Sequence, residues 1–183
     1  VNYADVWMLS AVDAEALSAV SLANQVTFVL TLFYLGLSSG LTILCAQYWG
    51  KGETAIIEKV LGACARLSLL LSGAFCLAML LAPALLMRLF TPDPALIAYG
   101  TSYLRMMAPG CVPMAFSQML LAALKSMEKT KAASWISALS LCVNLGLNAL
   151  AIFVVFPGEP ANCVLGVAAA TVCSRVFEWF FSA

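Results

Sequence analysis

Residues 132–156 read AASWISALSLCVNLGLNALAIFVVF and contain no charged side chain. An α-helix needs about 20 apolar residues to cross a hydrocarbon layer of about 30 Å, whereas a barrel strand needs only about 10 alternating residues. This stretch is long enough for a helix and has no strict alternation. It therefore predicts a transmembrane α-helix, and the same pattern recurs along the chain.

The overall composition points to a membrane protein. The chain has 183 residues, of which 63% are hydrophobic and 10% are charged, whereas a soluble domain carries about 25% charged residues. Further uncharged runs cover residues 16–50, 67–87, 106–124 and 160–174. The last run can span a membrane only if Arg175 or Glu178 lies near the membrane boundary or is buried in protein.

We predict an all-α integral membrane protein, a bundle of about six transmembrane helices that forms a single lobe over residues 1–183. Residues 1–12 resemble the end of a first helix and are too short to cross a bilayer, so we expect a truncated first helix that ends near Ser10. The five further predicted helices cover residues 17–49, 54–89, 94–126, 132–156 and 164–183. Pro109 and Pro113 should kink the fourth helix. The small residues GLSSG at 36–40 predict a close helix contact.

Lysines orient the predicted bundle. Lys51 and Lys59 flank one loop, and Lys125, Lys129 and Lys131 flank another loop on the same side. Loops on the other side carry mostly acidic residues. By the positive-inside rule, the lysine-rich loops are cytoplasmic. The formal net charge of zero gives no indication of a nucleic-acid partner.

Sequence motifs of enzymes are missing. The chain has no histidine, no G-x-S-x-G, no Gly-rich phosphate loop and no acidic metal cluster. Its seven cysteines include no C-x-x-C pair and lie mostly in apolar runs, where cysteine behaves as a small hydrophobic residue. We therefore expect that the protein is not an enzyme.

A polar face interrupts the hydrophobic stretch with which we began. Asn144 and Asn148 lie four residues apart, and Ser137 and Ser140 extend the same helical face. Such a face must contact protein or a water-filled cavity. Two interpretations stay open at this point: interhelical hydrogen bonds worth about 0.6 kcal/mol each, or a functional site.

Asp5, within VNYADVWM, favours the functional interpretation. An ionisable group costs at least about 2.5 kcal/mol at the centre of a membrane helix, so it is a functional candidate unless it lies near the interface. Asn24, Gln25 and Gln118 are weaker candidates that could line a cavity or simply pack between helices.

Several segments, taken in order, resemble the N-terminal lobe of multidrug and toxic compound extrusion (MATE) transporters along essentially the whole chain. The segments are VNYADVWM, AEALSAVSLANQV, GLSSG, AQYWGKGE, YLRMMAP, NLGLNALAIF and LGVAAATVCSR. The resemblance implies one lobe of a twelve-helix transporter with a central cavity that opens alternately to each side. It further implies export of small organic, often cationic, compounds, driven by entry of Na⁺ or H⁺.

The resemblance also implies a coupling site. The family's positions for the coupling cation or proton fall on Asp5, Asn144, Asn148 and Thr171. Some members have an aspartate at the position of Asn148, so this chain has one formal carboxylate in the site. Carboxylate, amide and hydroxyl oxygens suit Na⁺, a hard cation, and protonation of Asp5 would neutralise the same site. No cofactor is expected beyond the coupling Na⁺ or H⁺.

The expected function is therefore a secondary active antiporter in the cytoplasmic (inner) membrane of a prokaryote. Its expected partners are organic substrates, the lipid bilayer and the C-terminal lobe of the full-length protein, with no nucleic acid. This lobe alone should not transport, because the cavity needs both lobes. Two alternatives stay open: a lipid-linked oligosaccharide flippase of the related superfamily, and a structural membrane protein that does not transport.

Overall fold

The computed structural model describes residues 14–152 and 160–182. In this part of the chain there are seven α-helices, one short 3₁₀ segment and no strand. In chain order they are α1 (Ala14–Gly50), α2 (Thr54–Leu81), α3 (Pro83–Arg88), α4 (Pro94–Met107), the 3₁₀ segment (Ala108–Gly110), α5 (Cys111–Ser126), α6 (Thr130–Leu150) and α7 (Pro160–Ser182).

Five units are long and apolar enough to cross a membrane: α1, α2, the combined unit α4–α5, α6 and α7. They confirm the predicted all-α membrane bundle. Large apolar side chains on the outside, such as Leu70 and Leu81, are strongly exposed, which suits a surface that faces lipid. The predicted first helix, with Asp5, lies outside the described residues.

The unit α4–α5 forms the centre of the bundle, and 61% of its most apolar window is buried. It packs against α1 and α2 on one side and against α7 on the other, while α6 packs mainly on α7. Leu30, Tyr34, Tyr103 and Leu104 are fully or almost fully buried in the resulting core. This arrangement sets α7 between the centre of the lobe and α6.

The prediction of one continuous helix over residues 54–89 is wrong. The helix breaks at Ala82, whose φ of −134° and ψ of 45° are not helical. Proline disfavours the α conformation in the residue before it, and Pro83 then begins the short helix α3. The conformational effect of Pro83 on Ala82 explains the break, which the prediction missed because it relied on the length of the hydrophobic run.

The predicted interruption of the fourth helix is confirmed at Pro109. Met107 ends α4, and the chain passes through the 3₁₀ segment before α5 begins at Cys111. Pro113 causes no second interruption, because it lies in the first turn of α5, where a missing N–H is tolerated.

Other boundaries differ by a few residues. Helix α6 ends at Leu150, and Ala151 and Ile152 continue as a π-helical turn, so the predicted extension of this helix to residue 156 leads outside the described residues. Helix α7 begins at Pro160, four residues earlier than predicted, because proline fits the first helical position.

The predicted close contact at residues 36–40 is not found among residues 14–152 and 160–182. Gly36 and Gly40 are exposed, and no described atom lies within 4 Å of a Cβ built at either position. Small residues permit close packing of helices but do not decide which face of a helix turns inward.

Candidate functional site

The polar face of α6 is buried against α7. Asn144 and Asn148 have no exposed surface, and Ser140 is 2% exposed. These three residues recur at steps of four, so they form one stripe along the helix. Because α6 packs mainly on α7, the stripe is turned into protein, away from lipid.

Hydrogen bonds join this stripe to α7. Asn148 Nδ2 donates to Asn144 Oδ1 at 3.4 Å, and Asn144 Nδ2 donates to Thr171 Oγ1 at 3.2 Å. One turn further along, Ser140 Oγ donates to the carbonyl oxygen of Ser174 at 3.1 Å. Three of the four residues assigned to the coupling site by resemblance are therefore in one connected cluster, which we call the amide cluster: Asn144, Asn148 and Thr171.

The amide cluster offers oxygen atoms and no charge of its own. Amide carbonyl and hydroxyl oxygens suit a hard monovalent cation such as Na⁺. Within the described ranges, no group of three or more His, Cys, Asp or Glu side chains could hold a metal ion. A carboxylate at this site would have to come from Asp5, and its place there stays a prediction.

The weaker cavity candidates differ in burial. Asn24 is buried, its Oδ1 accepts a hydrogen bond from Tyr103 Oη at 3.2 Å, and its Nδ2 has no acceptor among the described residues. Gln25 is exposed, whereas Gln118 and Ser137 are half-buried. That these four residues line a transport cavity stays a prediction.

One charged pair on α7 was not identified as a site from the sequence. Arg175 Nη1 lies 3.1 Å from Glu178 Oε2, and Ser117 Oγ of α5 donates to the same carboxylate oxygen at 3.5 Å. Glu178 is only 4% exposed. The condition for α7 to span the membrane is thus met by burial of Glu178 in protein, where it pairs with the half-buried Arg175. Opposite charges three residues apart in an apolar run were the signal for this pair.

A small cavity lies between α7 and the helix break in the α4–α5 unit. It has a volume of about 20 Å³, enough for one water molecule. Thr171 and Arg175 contribute to its wall from α7, Thr27 from α1, and Gly110 and Cys111 from the break. One member of the amide cluster, Thr171, and one member of the charged pair, Arg175, therefore border the same space.

A second buried polar contact joins α1 to α2. Tyr34 Oη hydrogen-bonds to Ser72 Oγ and also donates to the carbonyl oxygen of Cys111 at 3.4 Å. Ser72 Oγ donates in turn to the carbonyl oxygen of Ser68 at 2.6 Å. This contact was not identified from the sequence, because a tyrosine and a serine 38 residues apart form no local pattern.

Comparisons with known proteins match this architecture. Multidrug resistance protein MdtK of Photorhabdus laumondii subsp. laumondii is 28% identical over 167 residues, which cover 91% of this chain and 36% of that protein. A crystal structure of MATE in the bent conformation is 25% identical, with a TM-score of 0.89, and the match covers 100% of this chain and 40% of that one. The chain thus spans 36–40% of the length of these two proteins.

A further solved structure shows the same fold. It is an outward-facing multidrug resistance MATE family transporter of the MOP superfamily, 25% identical with a TM-score of 0.87, and the match covers 100% of this chain and 39% of that one. In addition, the family model MatE matches residues 1–150. The chain is therefore a multi-pass membrane protein that belongs to the MatE family, a family of transporters and not of enzymes.

Proposed function

We propose that the full-length protein is a secondary active antiporter that exports small organic, often cationic, compounds in exchange for Na⁺ or H⁺. The observation that carries this proposal is the amide cluster, in which Asn148, Asn144 and Thr171 form one buried hydrogen-bonded chain between α6 and α7. Two of the matched proteins are named as a multidrug resistance protein and a multidrug resistance MATE family transporter, which supports a role in multidrug export.

The coupling step follows from the position of the cluster between two helices. A cation that binds to oxygens from α6 and α7, together with the Asp5 carboxylate, would draw these elements together and favour one conformation of the lobe. Protonation of Asp5 would act at the same point by removing its charge. Either event shifts the equilibrium only to the extent that the ion binds one conformation better than the other.

The rest of the transporter is proposed on the same basis. A second lobe of the full-length chain would complete the central cavity, and the lipid bilayer would surround both lobes. Lys51, Lys125, Lys129 and Lys131 are exposed at the end of the bundle where α1 meets α2 and α5 meets α6. We place this end on the cytoplasmic side of a prokaryotic inner membrane.

Ion-driven dye transport tests the proposal. Inverted membrane vesicles containing the full-length protein receive a fluorescent organic cation, and dye uptake is driven first by an imposed Na⁺ gradient and then by a proton gradient. The variants are Asp5→Asn and Asn144→Ala. Ser72→Ala, which removes a buried interhelical contact that shares no hydrogen bond with the amide cluster, is the matched control.

We expect one gradient to drive dye uptake by the wild type and by Ser72→Ala, and both site variants to lose it at equal protein levels. Unchanged uptake by both site variants would show that the amides only pack helices, as the structural alternative requires. The flippase alternative would be favoured if neither gradient moved organic cations and the protein moved a lipid-linked oligosaccharide without any ion gradient.

A further inference from the structure

Arg175 and Glu178 form the one ion pair found in residues 14–152 and 160–182. Both lie in the last two turns and a half of α7, within a span that is otherwise uncharged. Charged side chains in membrane helices are costly, and burial of an ion pair is often no more stable than burial of apolar residues. A contribution to stability alone is therefore a weak explanation for this pair.

Helix periodicity connects the pair to the amide cluster. Thr171, Ser174 and Glu178 recur at steps of three and four and share one face of α7, and all three are buried. Arg175, four residues after Thr171, lines the cavity of about 20 Å³ together with that threonine. Arg175 thus places a positively charged side chain beside Thr171 of the proposed cation site, whereas Glu178, which is 3.1 Å from the guanidinium, does not line that cavity.

The charge on Arg175 has a definite effect on a neighbouring cation. A positive charge about 10 Å away in a protein interior opposes binding of a second positive charge by about tenfold in affinity. Glu178 sits 3.1 Å from the guanidinium and cancels most of that field. Ser117 holds the carboxylate in place from α5.

Resting on the proposed cation site, we infer that Arg175 and Glu178 are a positioning pair that sets the affinity of the amide cluster for its coupling cation. Arg175 lowers this affinity, and Glu178 restores it by neutralising Arg175. The other titratable groups near the pair are Cys111, which lines the same cavity, and Tyr34, which bonds to the Cys111 carbonyl from α1. Asp5 is the predicted carboxylate of the site itself.

Three variants of the full-length protein in proteoliposomes separate this role from a structural one. Glu178→Gln leaves Arg175 without its counter-charge, Arg175→Gln leaves Glu178 without its counter-charge, and the double variant removes both charges. Transport of a fluorescent organic cation is measured against Na⁺ concentration, with choline replacing Na⁺ at constant ionic strength. A second titration varies pH without Na⁺.

We expect the two single variants to shift the half-saturating ion concentration in opposite directions. Glu178→Gln should raise it about tenfold, and Arg175→Gln should lower it by a similar factor. The double variant should return to within about threefold of wild type. If protons are the coupling ion, Glu178→Gln should move the midpoint of the pH profile to lower pH, because a net positive neighbour makes proton binding less favourable.

A double exchange covers the case in which the single variants do not fold. Arg175→Glu combined with Glu178→Arg keeps the pair neutral as a whole. It places the negative charge at position 175, which lines the cavity, and the positive charge at position 178, which does not. The half-saturating ion concentration should then fall below that of the wild type. If the pair has a purely structural role, the folded double-exchange variant should have the same half-saturating ion concentration as the wild type.

Equal half-saturation in all folded variants, or shifts of both single variants in the same direction, would overturn the inference. Asn144→Ala distinguishes that result from failure of the proposed function. If Asn144→Ala abolishes the ion dependence while the charge variants leave half-saturation unchanged, the cation site stands and the role of the pair is wrong. If Asn144→Ala leaves the ion dependence unchanged, the proposed site itself is wrong.

Discussion

The contact between α1 and α2 and the contact between α6 and α7 both bury polar groups between neighbouring helices, but they use them differently. In the first, Tyr34 meets Ser72, and the remaining hydrogen bonds end on backbone carbonyl oxygens. In the second, side-chain amides bond to one another and to a threonine hydroxyl. An amide carbonyl oxygen has two lone pairs, and Asn144 Oδ1 uses one of them to accept from Asn148, so this contact is rich in acceptors.

The comparison shows that burial of polar groups does not by itself identify a site. A hydroxyl on a membrane helix can direct its hydrogen to a main-chain carbonyl oxygen and become part of the packing. A run of amides concentrates oxygen atoms that a cation can use. If this distinction is correct, substitutions in the amide cluster should change ion dependence, and substitutions around Tyr34 should change stability alone.

Asn148→Asp should produce the largest effect. It adds a negative charge to the amide cluster, and a favourable charge interaction of this kind should lower the half-saturating Na⁺ concentration by about tenfold. Transport against Na⁺ concentration in proteoliposomes of the full-length protein gives the measurement, with the amount of monodisperse protein as the control. A variant that folds and shows unchanged or weaker Na⁺ dependence would contradict the proposed cation site.

Thr171→Val should have a smaller effect on ion affinity, in the opposite direction. Valine has nearly the same shape but removes the hydroxyl oxygen that accepts from Asn144 Nδ2. Loss of one neutral hydrogen bond of about 1 kcal/mol corresponds to about fivefold weaker ion dependence. Thr171→Ser keeps the hydroxyl and serves as the matched control. Equal behaviour of the two variants would mean that this oxygen is not used by the ion.

Tyr34→Phe should affect stability and leave ion dependence within about twofold of wild type. It removes the hydroxyl that bonds to Ser72 and to the Cys111 carbonyl oxygen. Interhelical hydrogen bonds in membranes average about 0.6 kcal/mol, with a maximum of about 1.7 kcal/mol. The free energy of unfolding, measured in mixed micelles, should decrease by an amount within that range. A large change in the half-saturating ion concentration would contradict the view that the α1–α2 contact is only structural.

Ser68→Ala should have the smallest effect. Its hydroxyl donates to the carbonyl oxygen of Ala65 on the same helix, and Ser72 bonds to its backbone oxygen, which alanine retains. We therefore expect a change in the free energy of unfolding within about 0.5 kcal/mol. A loss comparable to that of Tyr34→Phe would show that the serine hydroxyls of α2 act as one network.

Much of the fold could be predicted from the sequence because a bilayer imposes strong rules. Length of the uncharged runs predicted the five described spans, and Pro109 marked the interruption between α4 and α5. The break at Ala82 was missed because the apolar run continues through it. The sequence predicted a close helix contact at residues 36–40, and no described residue makes it. Composition alone does not determine which face of a helix points toward its neighbours.

The candidate site could be predicted only in part. Steps of four residues placed Asn144 and Asn148 on one face, and the resemblance added Thr171. The pair of Arg175 and Glu178 appeared in the sequence only as a condition on the length of α7, because its connection to the amide cluster depends on how α5 and α7 pack. Asp5 stays a prediction.

The helix break at Gly110 has a mechanical consequence. The α4–α5 span consists of two helices joined by the 3₁₀ segment, and this segment packs against α7. A Cβ at Gly110 would lie 3.2 Å from Val172 Cγ2, closer than ordinary van der Waals contact, so any larger residue there would require Val172 to shift by a few tenths of an ångström. Val172 follows Thr171 in the chain, so a rotation of α7 that displaced Thr171 would also change the contact of α7 with the 3₁₀ segment. The packing of the helix break is thus linked through Val172 to the threonine that bonds to Asn144.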